Sequence, residues 1–167
     1  MIHYATPADV ALLLQLSATT FYDAFAAQNT PETMQAYMSE AFTEAKMAAE
    51  LADPDSTFLL AFVDDEAVGY AKLRRGDSPD APAGCKSIEL QRIYVAQKAI
   101  GRKLGQKLLD ACLQITREEG YERVWLGVWE HNTSAQAFYR KMVLKYTVPM
   151  CFVWAKKTRQ TCFCSYQ

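Results

Sequence analysis

The chain has 167 residues, half of them hydrophobic and 22% charged, which suits one soluble globular domain with a real core. Its net charge of −1 is uneven: residues 1–130 hold 12 basic against 19 acidic residues, a balance of −7, while 131–167 hold six basic and none acidic. A negative main body fits a cationic substrate better than nucleic acid; no apolar run approaches a membrane span, and Met1 to Pro7 lack the features of a signal peptide, so the expected location is cytoplasmic.

A short strand is expected over residues 2–5. Thr6, Pro7 and Asp9 then mark a helix start: the hydroxyl can accept from an early N–H, proline suits the first helical position, and aspartate favours the positive end. Val10, Leu13, Leu14, Ser17 and Phe21 give this helix an apolar face to about Phe25. Residues 28–32 break it. Thr30 and Pro31 restart a helix carrying Met34, Tyr37, Met38 and Phe42, and a further short helix covers 43–51 before Asp53-Pro54. Residues 57–63 and 67–73 read as a hairpin turning through Asp64, Asp65 and Glu66. Residues 74–86, with two prolines, two glycines and two aspartates, read as a loop. A strand over 87–95, a helix ending at Gly120 and a strand over 123–129 follow. The last helix is capped by Asn132 or Thr133, with Gln136 three residues after Thr133 as in a capping box. The mixed α/β order lacks regular βαβ alternation, so a doubly wound sheet is not expected.

Residues 87–109 organise the rest. Ile88, Leu90, Ile93 and Val95 favour a strand, and Leu104, Leu108, Leu109, Cys112 and Ile115 fall at helical spacing. Between them lie Gly101, Arg102, Lys103 and Gly105. A strand, a turn with glycines and cations, and a helix start can hold a phosphate on free N–H groups. An ordinary strand–loop–helix connection has the same outline. Five cysteines in an odd set argue against a disulfide framework, and two histidines without ligand spacing argue against zinc even beside Cys162-x-Cys164; no metal is expected.

Ile93-Tyr94-Val95, the loop to Gly105, the Leu108-Leu109 pair and the run Leu126-Gly127-Val128-Trp129-Glu130-x-Asn132-x-x-Ala135-x-Ala137-Phe138-Tyr139-x-Lys141-Met142 together resemble the GNAT superfamily of N-acetyltransferases. The resemblance spans roughly residues 1 to 142. It implies a single GNAT-like domain over 1–167: a central, mostly antiparallel sheet, splayed between strands 4 and 5 and flanked by helices. It also implies acetyl-CoA as cosubstrate. The pyrophosphate would lie on Ile100, Gly101, Arg102, Lys103, Leu104 and Gly105, the pantetheine arm along Ile93, Tyr94 and Val95, and Asn132 would contact the cofactor or cap its helix. The loop departs from the family pattern Q/R-x-x-G-x-G/A. Ile100 stands where Gln or Arg is usual, and Lys103 where a glycine is usual. A lysine there calls for a backbone that avoids positive φ.

Acetyl transfer to an amine needs the amine to lose a proton. At pH 7 only about one alkylamine in 10³ is neutral, a deficit of about 4–5 kcal/mol. A carboxylate can take that proton. Glu89, on the fourth strand, is the candidate base; as a bland alternative it is a solvent-facing strand glutamate. Backbone N–H groups near Val95 would receive the oxyanion. The resemblance makes Tyr139 the acid that protonates the leaving thiolate, with Phe138 facing the core. Phe21 and Tyr22, with Trp129, resemble the bacterial spermidine/spermine N-acetyltransferase subgroup, which suggests a polyamine held by aromatic faces. Gln91 stands where that subgroup tends to carry glutamate. The expected partner is a small-molecule amine, with a homodimer as candidate assembly and no nucleic acid or membrane. The competing reading is a CoA-binding GNAT-fold protein with little or no catalysis.

After Met142 the family continues with Gly-Phe and two antiparallel strands, whereas this chain reads Val143-Leu144-Lys145. One extra G turns GTT-TTG-AAG into GGT-TTT-GAA, Gly-Phe-Glu, so residues 143–167 suggest a shifted reading frame, which the nucleotide sequence tests. As translated, residues 143–154 are rich in strand formers and are expected to pair partly in place of the sixth strand.

Overall fold

A computed structural model of the chain describes residues 1–76, 85–129, 131–143, 150–156 and 159–164, the last two segments as strand backbone. The seven strands are β1 (Ile2–Tyr4), β2 (Ser56–Val63), β3 (Glu66–Arg75), β4 (Ser87–Val95), β5 (Arg123–Trp129), β6 (Met150–Lys156) and β7 (Arg159–Cys164). The five α-helices are α1 (Val10–Phe25), α2 (Pro31–Ala41), α3 (Glu44–Ala52), α4 (Leu104–Glu118) and α5 (Thr133–Val143). The strands pair in chain order; β1–β2 and β6–β7 are antiparallel, β4–β5 and β5–β6 parallel. The expected mixed α/β architecture is therefore present. Of the loop expected over 74–86, residues 77–84 lie outside the described residues, as do Glu130 and, within the tail, 144–149.

Local chemistry accounts for most element ends. Thr6 and Asp9 form a capping box around a single turn, Pro7–Asp9, that leads into α1. Thr30 accepts from the Thr33 amide and Thr43 from the Lys46 amide, so each caps its helix, with proline at the first turn of α2. Asp64 and Asp65, at φ 49° and 61°, make the tight hairpin turn between β2 and β3. Asn132, not Thr133, caps α5: its Oδ1 accepts from the Ala135 amide at 3.0 Å. The Gln136 side chain donates to the Trp129 carbonyl at 3.3 Å.

The chain divides into two compact units. The first comprises Met1–Lys72 and Arg92–Leu109. Leu13 and Leu16 of α1 and Met47 of α3 bury against Phe58 and Leu60 of β2 and Tyr70 of β3. A second cluster joins Val68, Ala99 and Leu104, with Val63 and Val95 packed beside it. Residues Pro7–Gln28 form a helical run long and apolar enough, by length and composition, to cross a membrane, which corrects the expectation that no run approaches that size. Leu13 and Leu16 of this run lie in the core.

The second unit comprises Leu73–Gln91 and Asp110–Gln167. Its parallel β4–β5 ladder pairs Ser87, Ile88 and Glu89 with Arg123, Val124 and Trp125. β4 runs from Ser87 to Val95 and β5 from Arg123 to Trp129. From Val124 to Trp129, β5 also pairs along its other edge with β6, so tail residues take a place in the sheet as expected. Cys112 is fully buried on α4, and desolvation pushes its thiol up to about 12.

Candidate active site

The cofactor candidates fall in the first unit. Gly69 on β3 lets the end of β4 come close: a Cβ there would sit 2.9 Å from the Tyr94 carbonyl oxygen and 3.3 Å from Leu108 and Val95. The Ala96 amide then bonds the Val68 carbonyl at 2.8 Å. Tyr94 stacks on Tyr70, ring centroids 5.7 Å apart. Burial raises both phenols, so both stay neutral and act as packing groups.

Past Val95 the chain makes one tight turn, Gln97–Ala99, and enters α4 through an exposed loop. Leu104 anchors the far end in the Val68–Ala99 cluster. Ile100, Gly101, Arg102 and Lys103 face solvent, and the first amide of this helix to find a backbone acceptor is that of Lys107, on the Lys103 carbonyl. The amides of Leu104, Gly105 and Gln106 are thus the free donors of a helix N-terminus. Gly101 has φ 88° and Lys103 φ 60°. The expectation that lysine would avoid positive φ is corrected. The turn takes the left-handed conformation that glycine usually supplies, and the lysine bears the steric cost. These free amides, two cations and a close-packed strand end fit an anionic, chain-like cosubstrate.

The strained lysine gives a direct expectation. A left-handed residue with a Cβ costs about 1–2 kcal/mol, and glycine's extra freedom in the unfolded chain returns about 0.4–1 kcal/mol. Lys103→Gly should therefore stabilise the protein by about 0.5–1 kcal/mol in denaturant titrations. It should also weaken CoA binding at low ionic strength, because one cation is lost.

The expected acceptor residues of this unit have different surroundings. Phe21 is the hub of an aromatic cluster, 4.6 Å from Phe25, 4.9 Å from Tyr37 and 5.3 Å from Phe42 by ring centroids. Tyr22 points to solvent. Sequence reasoning missed a nearby ionic group in the same unit: Glu50 of α3 takes two hydrogen bonds from Arg92, at 2.7 and 2.9 Å, and one from Lys72 at 2.8 Å. Burial works against the charged form of Glu50, but the bonds from Arg92 and Lys72 outweigh it and hold the carboxyl below its usual range.

The catalytic candidates fall in the second unit. Glu89 is only 13% exposed at its side chain, and its carboxylate sits 3.0 Å from Arg74 Nε. Gln91 donates to the same carboxylate over a long 3.5 Å. Tyr139 is buried and Phe138 half-buried, the reverse of the expectation that Phe138 faces the core. Tyr139 lies three residues from buried Met142, so it shares the inner stripe of α5. The Trp129 ring meets His131 edge-on at 5.1 Å. Asn132 spends its carbonyl on the α5 cap.

A close-packed strand end running into a glycine- and cation-bearing loop at a helix start, within a mixed α/β fold, suits the class of proteins that grip an anionic cosubstrate by its main chain. The chain belongs to the acetyltransferase (GNAT) family, whose model matches residues 18–143, and it is an acetyl-CoA-dependent N-acetyltransferase. It is 35% identical to an uncharacterized N-acetyltransferase in the pepI 3′ region of Lactobacillus delbrueckii subsp. lactis, over 78% of this chain and 76% of that one. It is 23% identical to spermidine N(1)-acetyltransferase of Thermoplasma acidophilum, over 80% of each chain. Among solved structures, the PaiA N-acetyltransferase of Thermoplasma acidophilum in complex with coenzyme A matches with a TM-score of 0.73 at 23% identity, over 85% of this chain and 87% of that one.

Proposed function

We propose that the protein transfers the acetyl group of acetyl-CoA to a primary amine, with the cofactor held by Ile93, Tyr94, Val95 and the loop from Ile100 to Gly105. The free amides at the start of α4, beside Arg102 and Lys103, carry this reading, since they suit a diphosphate. Glu89 takes the amine proton and Tyr139 returns a proton to the departing sulfur. The cosubstrate supplies the activated acyl group; the chain supplies grip, orientation and proton transfer. A cytoplasmic setting accompanies this reading.

A polyamine acceptor is supported by the name of the Thermoplasma relative and by the Phe21–Tyr37 aromatic faces, which suit cations. A second reading, CoA binding with little catalysis, is supported by the Arg74–Glu89 ion pair, which already occupies the proposed base. Calorimetric titration with CoA beside thiol-release assays on a panel of amines decides among these. Acetyl transfer with Glu89→Gln far slower than wild type supports the enzyme. CoA binding without turnover of any amine supports the second reading.

A further inference from the structure

Two side chains of the second unit meet the Glu89 carboxylate, and a third stands beside Glu89 on the neighbouring strand. Arg74 Nε lies 3.0 Å from the carboxylate, Gln91 Nε2 bonds it at 3.5 Å, and Trp125 is the partner of Glu89 in the β4–β5 register, so the indole leaves the sheet on the same face. All four residues belong to this one unit. Two polar atoms of the group are buried without a hydrogen-bond partner: Trp125 Nε1, a donor, and Gln91 Oε1, an acceptor. Trp125 is only 7% exposed. Native interiors rarely leave such atoms unpaired, and a donor and an acceptor orphaned on the residues flanking Glu89 suit a ligand group that both accepts and donates.

We propose that this cluster is the acceptor subsite and that it recognises an α-amino carbonyl compound, a primary amine whose adjacent carbon bears a carbonyl, as at a peptide N-terminus or in an amino-acid amide. The proposal rests on the N-acetyl transfer reading above and names its substrate class. The Trp125 indole donates to the carbonyl oxygen, and the amine N–H is accepted by Gln91 Oε1 and Glu89. The long Gln91–Glu89 bond leaves the amide free to turn toward the amine. A protonated polyamine offers donors alone and leaves the indole N–H unpaired.

Charge points the same way. Arg74 and Glu89 cancel, and Gln91 and Trp125 add nothing, so the cluster is neutral and does not favour an alkylammonium. An α-amine, with an ordinary pKa of about 7.7–8.0, is substantially neutral near pH 7.5, whereas an alkylamine near 10.4 is not.

The test uses purified protein, acetyl-CoA and three acceptors, glycinamide, propylamine and spermidine, with rates referred to the concentration of neutral amine. Glycinamide should show a kcat/KM at least about tenfold above propylamine. Trp125→Phe and, independently, Gln91→Leu should each lower that ratio about tenfold, chiefly through KM. Should Trp125→Phe not fold, the wild-type ratio and the Gln91 variant carry the test. Trialanine against glycinamide then separates a peptide N-terminus from a small amide. Spermidine or propylamine matching glycinamide overturns this assignment and leaves acetyl transfer standing. Variants that slow all three amines in parallel overturn it too, in favour of a bridging water. CoA binding with no amine acetylated overturns both readings.

Discussion

Tyr139→Phe should lower kcat by roughly 10²-fold or more, with CoA affinity little changed. A factor of 10² is about 2.7 kcal/mol of barrier, which a single positioned proton donor can supply. The substitution removes one hydroxyl from a buried ring on α5 that packs edge-on against Phe138 at 5.2 Å. CoA affinity and a denaturant titration, measured on the same variant, separate a lost proton donor from a lost packing contact. Slow departure of the thiolate predicts that the loss falls on kcat and kcat/KM together. It also predicts that acceptors of different basicity suffer alike, since the acid acts on sulfur and not on the amine. A variant that turns over at the wild-type rate would make Tyr139 a packing residue and remove the acid from the scheme.

The elements that were legible in the sequence are those set by contiguous chemistry. Thr30-Pro31 and Thr43 announced α2 and α3 because a cap acts within three residues. Asp64-Asp65 announced the hairpin because both can adopt positive φ. The sequence between Gly120 and the α5 cap predicts β5 with its observed ends, Arg123 and Trp129. The strand end, turn and helix start of the candidate cofactor loop are legible for the same reason: they follow one another along the chain. The conformation of Lys103 was not, because packing of Leu104 and Ala99 fixes the turn whatever residue occupies it. Nor were the partners of the candidate base. Arg74 lies fifteen positions before Glu89 in a stretch whose composition predicts a loop, whereas β3 extends through Arg75 and delivers it to the carboxylate. The inward turn of Tyr139 depends on which stripe of α5 meets its neighbours, and helical spacing alone leaves Phe138 and Tyr139 nearly equivalent.

The ionic group around Glu50 is the extreme case, since its members are 22 and 42 positions apart, and it carries the largest stability effect expected here. Glu50→Ala should cost about 3–5 kcal/mol, a large part of the roughly 5–15 kcal/mol that holds a domain of this kind. The cost arises less from the lost attraction than from what remains. The Lys72 side chain is only 5% exposed and would keep its charge with no carboxylate beside it; its 5.2 Å approach to the Phe58 ring offsets little of that. Lys72→Met is the opposite case. It leaves the two-pronged Arg92–Glu50 pair intact, turns a surplus of one positive charge into neutrality and puts an apolar chain among apolar neighbours, so it should cost under about 1 kcal/mol or stabilise. The same carboxyl makes stability depend on acid. Its pKa in the folded protein lies below the usual 4.5. Its contribution is therefore complete above about pH 4.5 and is lost as pH falls through the folded value, because only the folded state resists protonation there. Denaturant titrations at pH 7 and at steps below pH 4.5 should show the gap between wild type and Glu50→Gln closing as the solution is acidified. A gap that stays constant across that range would mean that the two cations do not depend on the charge of Glu50, and that the carboxylate serves only as a hydrogen-bond acceptor of fixed geometry.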